Sequence, residues 1–216
     1  MEPEVAQRVL AVFNNAPLID APVITILGTG LRRGEALGLR RHDVNHTAGS
    51  LTVQRSLDRV DGTSVFKTPK TKRSRRTVLL ITGFARERLA RHMVEQEKRF
   101  EALGLPAPTG ETIVFDDGLG EPWCPNTFGL AFARIVKRKG LNLRLHDLRH
   151  GYATLGLQAG VNLKVVSESL GHSVIATTAN LYSHVTPALL ADQAARIDAL
   201  VTGKRRLHAV PKRRAS

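Results

Sequence analysis

The chain of 216 residues contains one cysteine, Cys124, so no internal disulfide can form and no cysteine-based zinc site can be built. That composition suits a reducing interior. Long apolar runs are also missing, and nothing approaches the roughly 20 residues needed to cross a bilayer. The first residues, Met1 to Val12, carry Glu2 and Glu4 and lack the basic-then-apolar order of a secretory leader. The expected location is therefore the cytoplasm, with no membrane partner. The Gly-x-x-x-x-Gly-Lys-Ser/Thr order of a P-loop is absent. Tyrosine is scarce: Tyr152 and Tyr182 are the only two.

Positive charge, by contrast, is abundant. The formal net charge is +13, with late clusters at Lys204-Arg205-Arg206 and Lys212-Arg213-Arg214. Each phosphate neutralised by such a surface releases counterions, which favours nucleic acid over an anionic membrane or a merely solvated basic face.

Periodicity predicts an α+β fold, mainly helical, with a small antiparallel sheet inserted. A first helix follows Pro3 and carries Val5, Val9, Val12 and Phe13. The apolar stretch Pro22 to Leu27 ends at Gly28-Thr29-Gly30, and another helix begins near Gly34-Glu35. The period then changes to two. Leu51 and Val53 alternate with Thr52 and Gln54, Val65-Phe66 and Thr77 to Ile81 are strand-like, and Asp61-Gly62 marks a turn. These segments predict one three-stranded sheet over about Ser50 to Ile81. Phe84 to Leu103 reads as a long charged helix. Asn126 is placed to cap a helix with Phe128, Phe132, Ile135 and Val136. Leu145, Leu148, Tyr152 and Leu155 share a stripe. Asn162 is placed to cap a helix with Val165, Val166 and Ser169, which Gly171 ends. A last helix carries Leu190, Ala194, Ile197 and Val201. One domain over 1–203, followed by a basic tail over 204–216 expected to be disordered, accounts for the whole pattern.

The chemistry-bearing residues fall in clusters. In Leu145-His146-Asp147-Leu148-Arg149-His150, helical spacing puts His146 and Arg149 on one side, a possible base beside a permanent cation. The guanidinium fork matches phosphate geometry. Taken alone, the pair reads more readily as a solvated face with Asp147 offsetting Arg149. Gly28-Thr29-Gly30-Leu31-Arg32-Arg33-Gly34-Glu35 places arginines in a glycine-flanked turn, where the alternative is a basic helix start. His172 sits at a chain reversal in Leu170-Gly171-His172-Ser173. Tyr152 fits a core stripe, which leaves Tyr182 for chemistry. A phenol ionises near pH 10, so as a nucleophile it needs a base or nearby cations.

The order of these pieces, Thr-Gly-Leu-Arg-x-Gly-Glu, then a basic hairpin, then His-Asp-Leu-Arg-His-Gly-Tyr-Ala-Thr, Leu-Gly-His-Ser and Tyr-Ser-His, resembles the tyrosine recombinases (the phage-integrase family) from about Glu2 to Leu200. The resemblance implies the catalytic-domain fold of those enzymes and site-specific recombination or integration of double-stranded DNA. It assigns Arg32 and Arg149 to the scissile phosphate, Tyr182 to nucleophilic attack, His146 to general base and His172 to a phosphate hydrogen bond. Glu35 and His184 take supporting roles. A hairpin lysine would be the general acid. Lys70 is the choice, with Lys67 and Lys72 as rivals because hairpin register cannot be read from sequence. No metal or cofactor is implied. The family's N-terminal core-binding domain has no counterpart here, so the expectation is either a fragment of a longer protein or a chain that works with a separate core-binding domain or accessory protein; the C-terminal helix either joins copies as a homotetramer on DNA or folds back on its own domain. The rival functions are a catalytically silent DNA-binding remnant and a type IB topoisomerase-like activity.

Overall fold

The computed structural model describes residues 1–14, 16–68, 76–79 and 83–171. The chain divides into two compact units, Met1–Thr178 and Ala179–Ser216, and every described residue belongs to the first. Lys70, Lys72, His172, Tyr182, His184, the stripe from Leu190 to Val201 and the basic tail lie outside the described residues.

The N-terminal helix α1 (Pro3–Phe13) has Pro at its start and buries Ala6, Val9 and Phe13, positions three and four apart that form one face. Helix α2 (Asp20–Thr29) is buried along its whole length, as expected of a helix apolar all round that neighbours must enclose. It packs against α1, the short α3 (Arg33–Leu37), the long α4 (Gly83–Ala102) and α6 (Leu145–Gln158). Helix α5 (Pro125–Arg138) closes the core, with Phe132 stacked on Phe13 at 5.4 Å between ring centroids. Helix α7 (Leu163–Leu170) follows α6. Among the described residues, no helix is long and apolar enough to cross a membrane.

The β segment departs from the single predicted sheet. A three-stranded antiparallel sheet in the order β1-β2-β5 joins β1 (Val44–Asn45), β2 (Ser50–Val53) and β5 (Arg76–Leu79). Strands β3 (Ser56–Val60) and β4 (Thr63–Lys67) form a separate hairpin. The reason is burial. Every residue of β4 is exposed, whereas β2 buries Leu51 and Val53, so the two cannot share a core-facing sheet. Between β2 and β3 the chain is diverted at Arg55, whose Nε donates to the Gly38 carbonyl at 2.8 Å and whose guanidinium covers the Phe66 ring at 4.0 Å. The predicted Asp61-Gly62 turn is present, with both residues at positive φ (47° and 82°), the backbone that a tight hairpin requires.

Two helix-level expectations also change. Cys124, not Asn126, is the N-cap of α5, because Pro125 starts the helix two residues earlier than an Asn126 cap would and its missing N–H costs nothing there. On α7, Val166 and Leu170 face inward while Val165 is exposed. The predicted caps of α7 are both present: the Asn162 side chain accepts from the Lys164 N–H at 2.8 Å, and Gly171 terminates the helix at φ 66°.

One buried ion pair ties α2 to α4. Arg88 donates from Nε to Asp20 Oδ2 at 2.6 Å and from Nη2 to Asp20 Oδ1 at 2.9 Å, and both side chains are buried. Removing one partner strands the other charge away from water. Arg88→Ala should therefore lower unfolding free energy by about 3–5 kcal/mol, seen as a lower urea midpoint at unchanged slope. A loss below about 1 kcal/mol would mean that water reaches the pair as it does a surface bridge.

Candidate active site

The site begins where α2 ends. Gly30 caps the helix at φ 68°, its N–H donating to the Ile26 carbonyl at 2.9 Å. The chain then extends through Arg32 and re-enters a helix at Arg33. Glu35, in the first turn of α3, is the organiser. Its carboxylate accepts from the Arg32 backbone N–H at 2.8 Å and from Arg32 Nη1 at 2.9 Å. Glu35 is nearly enclosed, whereas the Arg32 side chain is 47% exposed, so the buried acid orients a guanidinium that still reaches solvent.

Helix α6 starts by the same device: Asp147 accepts from the Arg144 backbone N–H at 2.8 Å and pairs with its guanidinium at 3.2 Å. The acid is engaged with Arg144 at the helix start, not simply neutralising Arg149 on a solvated face. With the register set by Leu148 and Tyr152 facing the core, Arg149 turns inward and its side chain is only 4% exposed. Nη1 donates to the Gly30 carbonyl at 2.6 Å and Nη2 to the Leu170 carbonyl at 2.7 Å, and Nη1 lies 4.0 Å from Glu35 Oε2. One side chain thus joins the end of α2, the start of α3, α6 and the end of α7.

His146 lies one turn from His150 on α6. The two rings are perpendicular, with centroids 4.5 Å apart. Partial burial pushes the His146 pKa below its usual value, and the charges of His150, Arg149 and Arg32 push it the same way against Asp147. The result is a histidine held toward its neutral, proton-accepting form. Glu35 lies against both Arg32 and Arg149, so the α2–α3 turn adjoins the part of α6 that carries His146.

The structure therefore brings Arg32, Glu35, His146 and Arg149 together. Tyr152 is buried beside Gly30, in keeping with a packing role. Lys67, at the end of β4, is exposed, with Nζ 3.6 Å from Asp58 Oδ2 across the hairpin. His150 received no role from sequence although it belongs to the same motif. Its four-residue spacing from His146 was the available signal.

The chain matches the phage integrase family over residues 1–188. It is 36% identical over 180 residues to a tyrosine recombinase XerC-like protein of Caldanaerobacter subterraneus subsp. tengcongensis, covering 78% of this chain and 46% of that protein. It is 32% identical over 174 residues to the ICEBs1 integrase of Bacillus subtilis, covering 80% of this chain and 46% of that one. The chain thus spans about half the length of these relatives. Among solved structures, the Tn1549 transposon integrase in complex with a circular intermediate DNA superposes with a TM-score of 0.75 over 91% of this chain and 65% of its own, at 22% identity, a likeness of fold. The arginine-glutamate turn, the buried Arg149 and the match over residues 1–188 agree: this chain belongs to the phage integrase family.

Proposed function

We propose that the chain is the catalytic half of a recombinase that cuts and rejoins double-stranded DNA through a covalent phosphotyrosine. The observation that carries this reading is the convergence of Arg32, Glu35, His146 and Arg149 around one turn, with Arg149 fixed by the Gly30 and Leu170 carbonyls. Two guanidinium groups beside a neutral imidazole suit a reaction in which negative charge grows on phosphate oxygens while a proton is removed from the nucleophile.

In the proposed step the Tyr182 phenol oxygen attacks phosphorus and its proton passes to His146. The new O–P bond makes a 3′-phosphotyrosine, and the P–O5′ bond breaks. Lys70 gives the leaving 5′-oxygen its proton, with Lys67 and Lys72 as the alternatives. Arg32 and Arg149 stabilise the non-bridging oxygens, His172 donates a hydrogen bond to one of them, and Glu35 and His184 support the site. Because the phosphotyrosine conserves the energy of the phosphodiester, attack by another strand's 5′-hydroxyl reverses the step and exchanges partners. The protein partners would be further copies of this chain, assembled as a tetramer on DNA through the C-terminal helix, and a separate core-binding domain or accessory protein. The cytoplasm is the expected compartment.

The test uses nicked suicide DNA, from which the cleaved fragment escapes and prevents rejoining. Incubation at low salt with excess protein, where phosphate contacts are strongest, should trap a denaturation-resistant protein–DNA band whose adduct maps to Tyr182 by mass spectrometry. DNA binding without a band would favour the catalytically silent remnant, and an adduct elsewhere would refute the assignment. Relaxation of supercoils without exchange between two sites would favour the topoisomerase-like activity.

A further inference from the structure

We propose that His150 is a positioning residue for His146: its ring, packed perpendicular to the imidazole one helical turn earlier, fixes that ring's orientation and keeps it in the proton-accepting form. The inference rests on the reading of His146 as general base. Its physical basis is the 4.5 Å separation of two perpendicular rings on one face of α6, spaced as helical neighbours. His146 lies in the first turn of the helix and is itself exposed, so its own surroundings restrain the ring weakly. The ring of His150 supplies a flat partner against which a single orientation is preferred, as aromatic pairs with complementary edges and faces require.

The charges around the pair act in the same direction. His146 feels the charges of His150, Arg149 and Arg32 as cations, opposed by Asp147. His150 feels Arg149, Arg144 and the α-ammonium of Met1 against Asp147, with burial the largest cause of its own lowered pKa. A proton on His150 therefore opposes a proton on His146. The folded-state pKa of His146 is depressed, first by burial and then by the charge of His150. The neutral form is present above that pKa and lost below it, and removing the basic partner must move the transition to higher pH.

The test uses the full chain and two readouts. NMR follows the His146 ring through its titration, and single-turnover adduct formation on nicked duplex DNA is measured across the same pH range. His150→Phe keeps a flat ring and removes the basic nitrogen. It should move the His146 transition to higher pH and carry the acidic limb of the rate profile with it, leaving the high-pH rate within about twofold. His150→Ala removes the ring as well, and should additionally lower the high-pH rate about tenfold through loss of orientation. Should the alanine variant fold poorly, His150→Gln, which also removes both the ring and the basic nitrogen, serves in its place and should show the same fall in the high-pH rate. An unmoved His146 titration in His150→Phe, or an undiminished high-pH rate in a folded His150→Ala, overturns the proposal. A His146 titration that moves while the acidic limb stays put refutes the general-base reading instead, and the inference falls with it.

Discussion

Arg149→Lys should slow covalent adduct formation by about 100- to 1000-fold and lower unfolding free energy by about 2–4 kcal/mol. The expectation follows from what the guanidinium holds. It donates through different nitrogens to the carbonyls of Gly30 and Leu170, at 2.6 and 2.7 Å, from an almost completely buried position. An ammonium is a point donor and cannot span two acceptors fixed for a planar fork. At least one carbonyl would lose its partner away from water, and the remaining charge would sit differently toward Glu35. Urea denaturation reads the first effect. Single-turnover cleavage, at a temperature where circular dichroism shows the variant folded, reads the second. If the rate loss merely follows the folded fraction, Arg149 acts only as a structural bracket.

Gly30→Ala is expected to cost about 2–5 kcal/mol, the sum of a left-handed backbone penalty of about 1–2 and overpacking of about 1–3. At φ 68° a side chain is already disfavoured, and a Cβ there would lie 2.5 Å from Tyr152 Cδ1 and 2.7 Å from Leu170 Cδ2. Gly140 supplies the control. Its φ is 65° and a Cβ would meet nothing within 4 Å, so Gly140→Ala should show the backbone penalty alone, about 1 kcal/mol. Equal midpoint shifts in urea for the two variants would show that Tyr152 and Leu170 relax freely, and that the turn carrying Arg32 is not held by close packing.

Local signals with a short reach were legible in the sequence. The Asn162 cap, the Gly171 terminator, the Asp61-Gly62 turn and the core stripe of Leu148 and Tyr152 all follow from a few neighbouring residues. The division into a sheet and a separate hairpin was not legible, because two-residue β1 is too short to show alternation and the exposure of β4 depends on distant packing. The pairing of Asp20 with Arg88 is separated by much of the chain, and nothing local distinguishes Arg88 from the surface arginines of the same helix. At the site, the residue types and their order were readable. That Arg149 would be enclosed and tied to backbone carbonyls was not, since those acceptors carry no side-chain identity that a sequence displays.

This enclosure changes what the persistence of Arg149 can testify. A descendant that had lost the proposed cleavage step would still need the guanidinium to keep its helices assembled, so drift would spare it for architectural reasons. Solvent-reaching Arg32 has less such shelter. Among relatives with uncertain activity, a vacant Arg32 position beside an intact Arg149 would be the earlier mark of a lapsed enzyme.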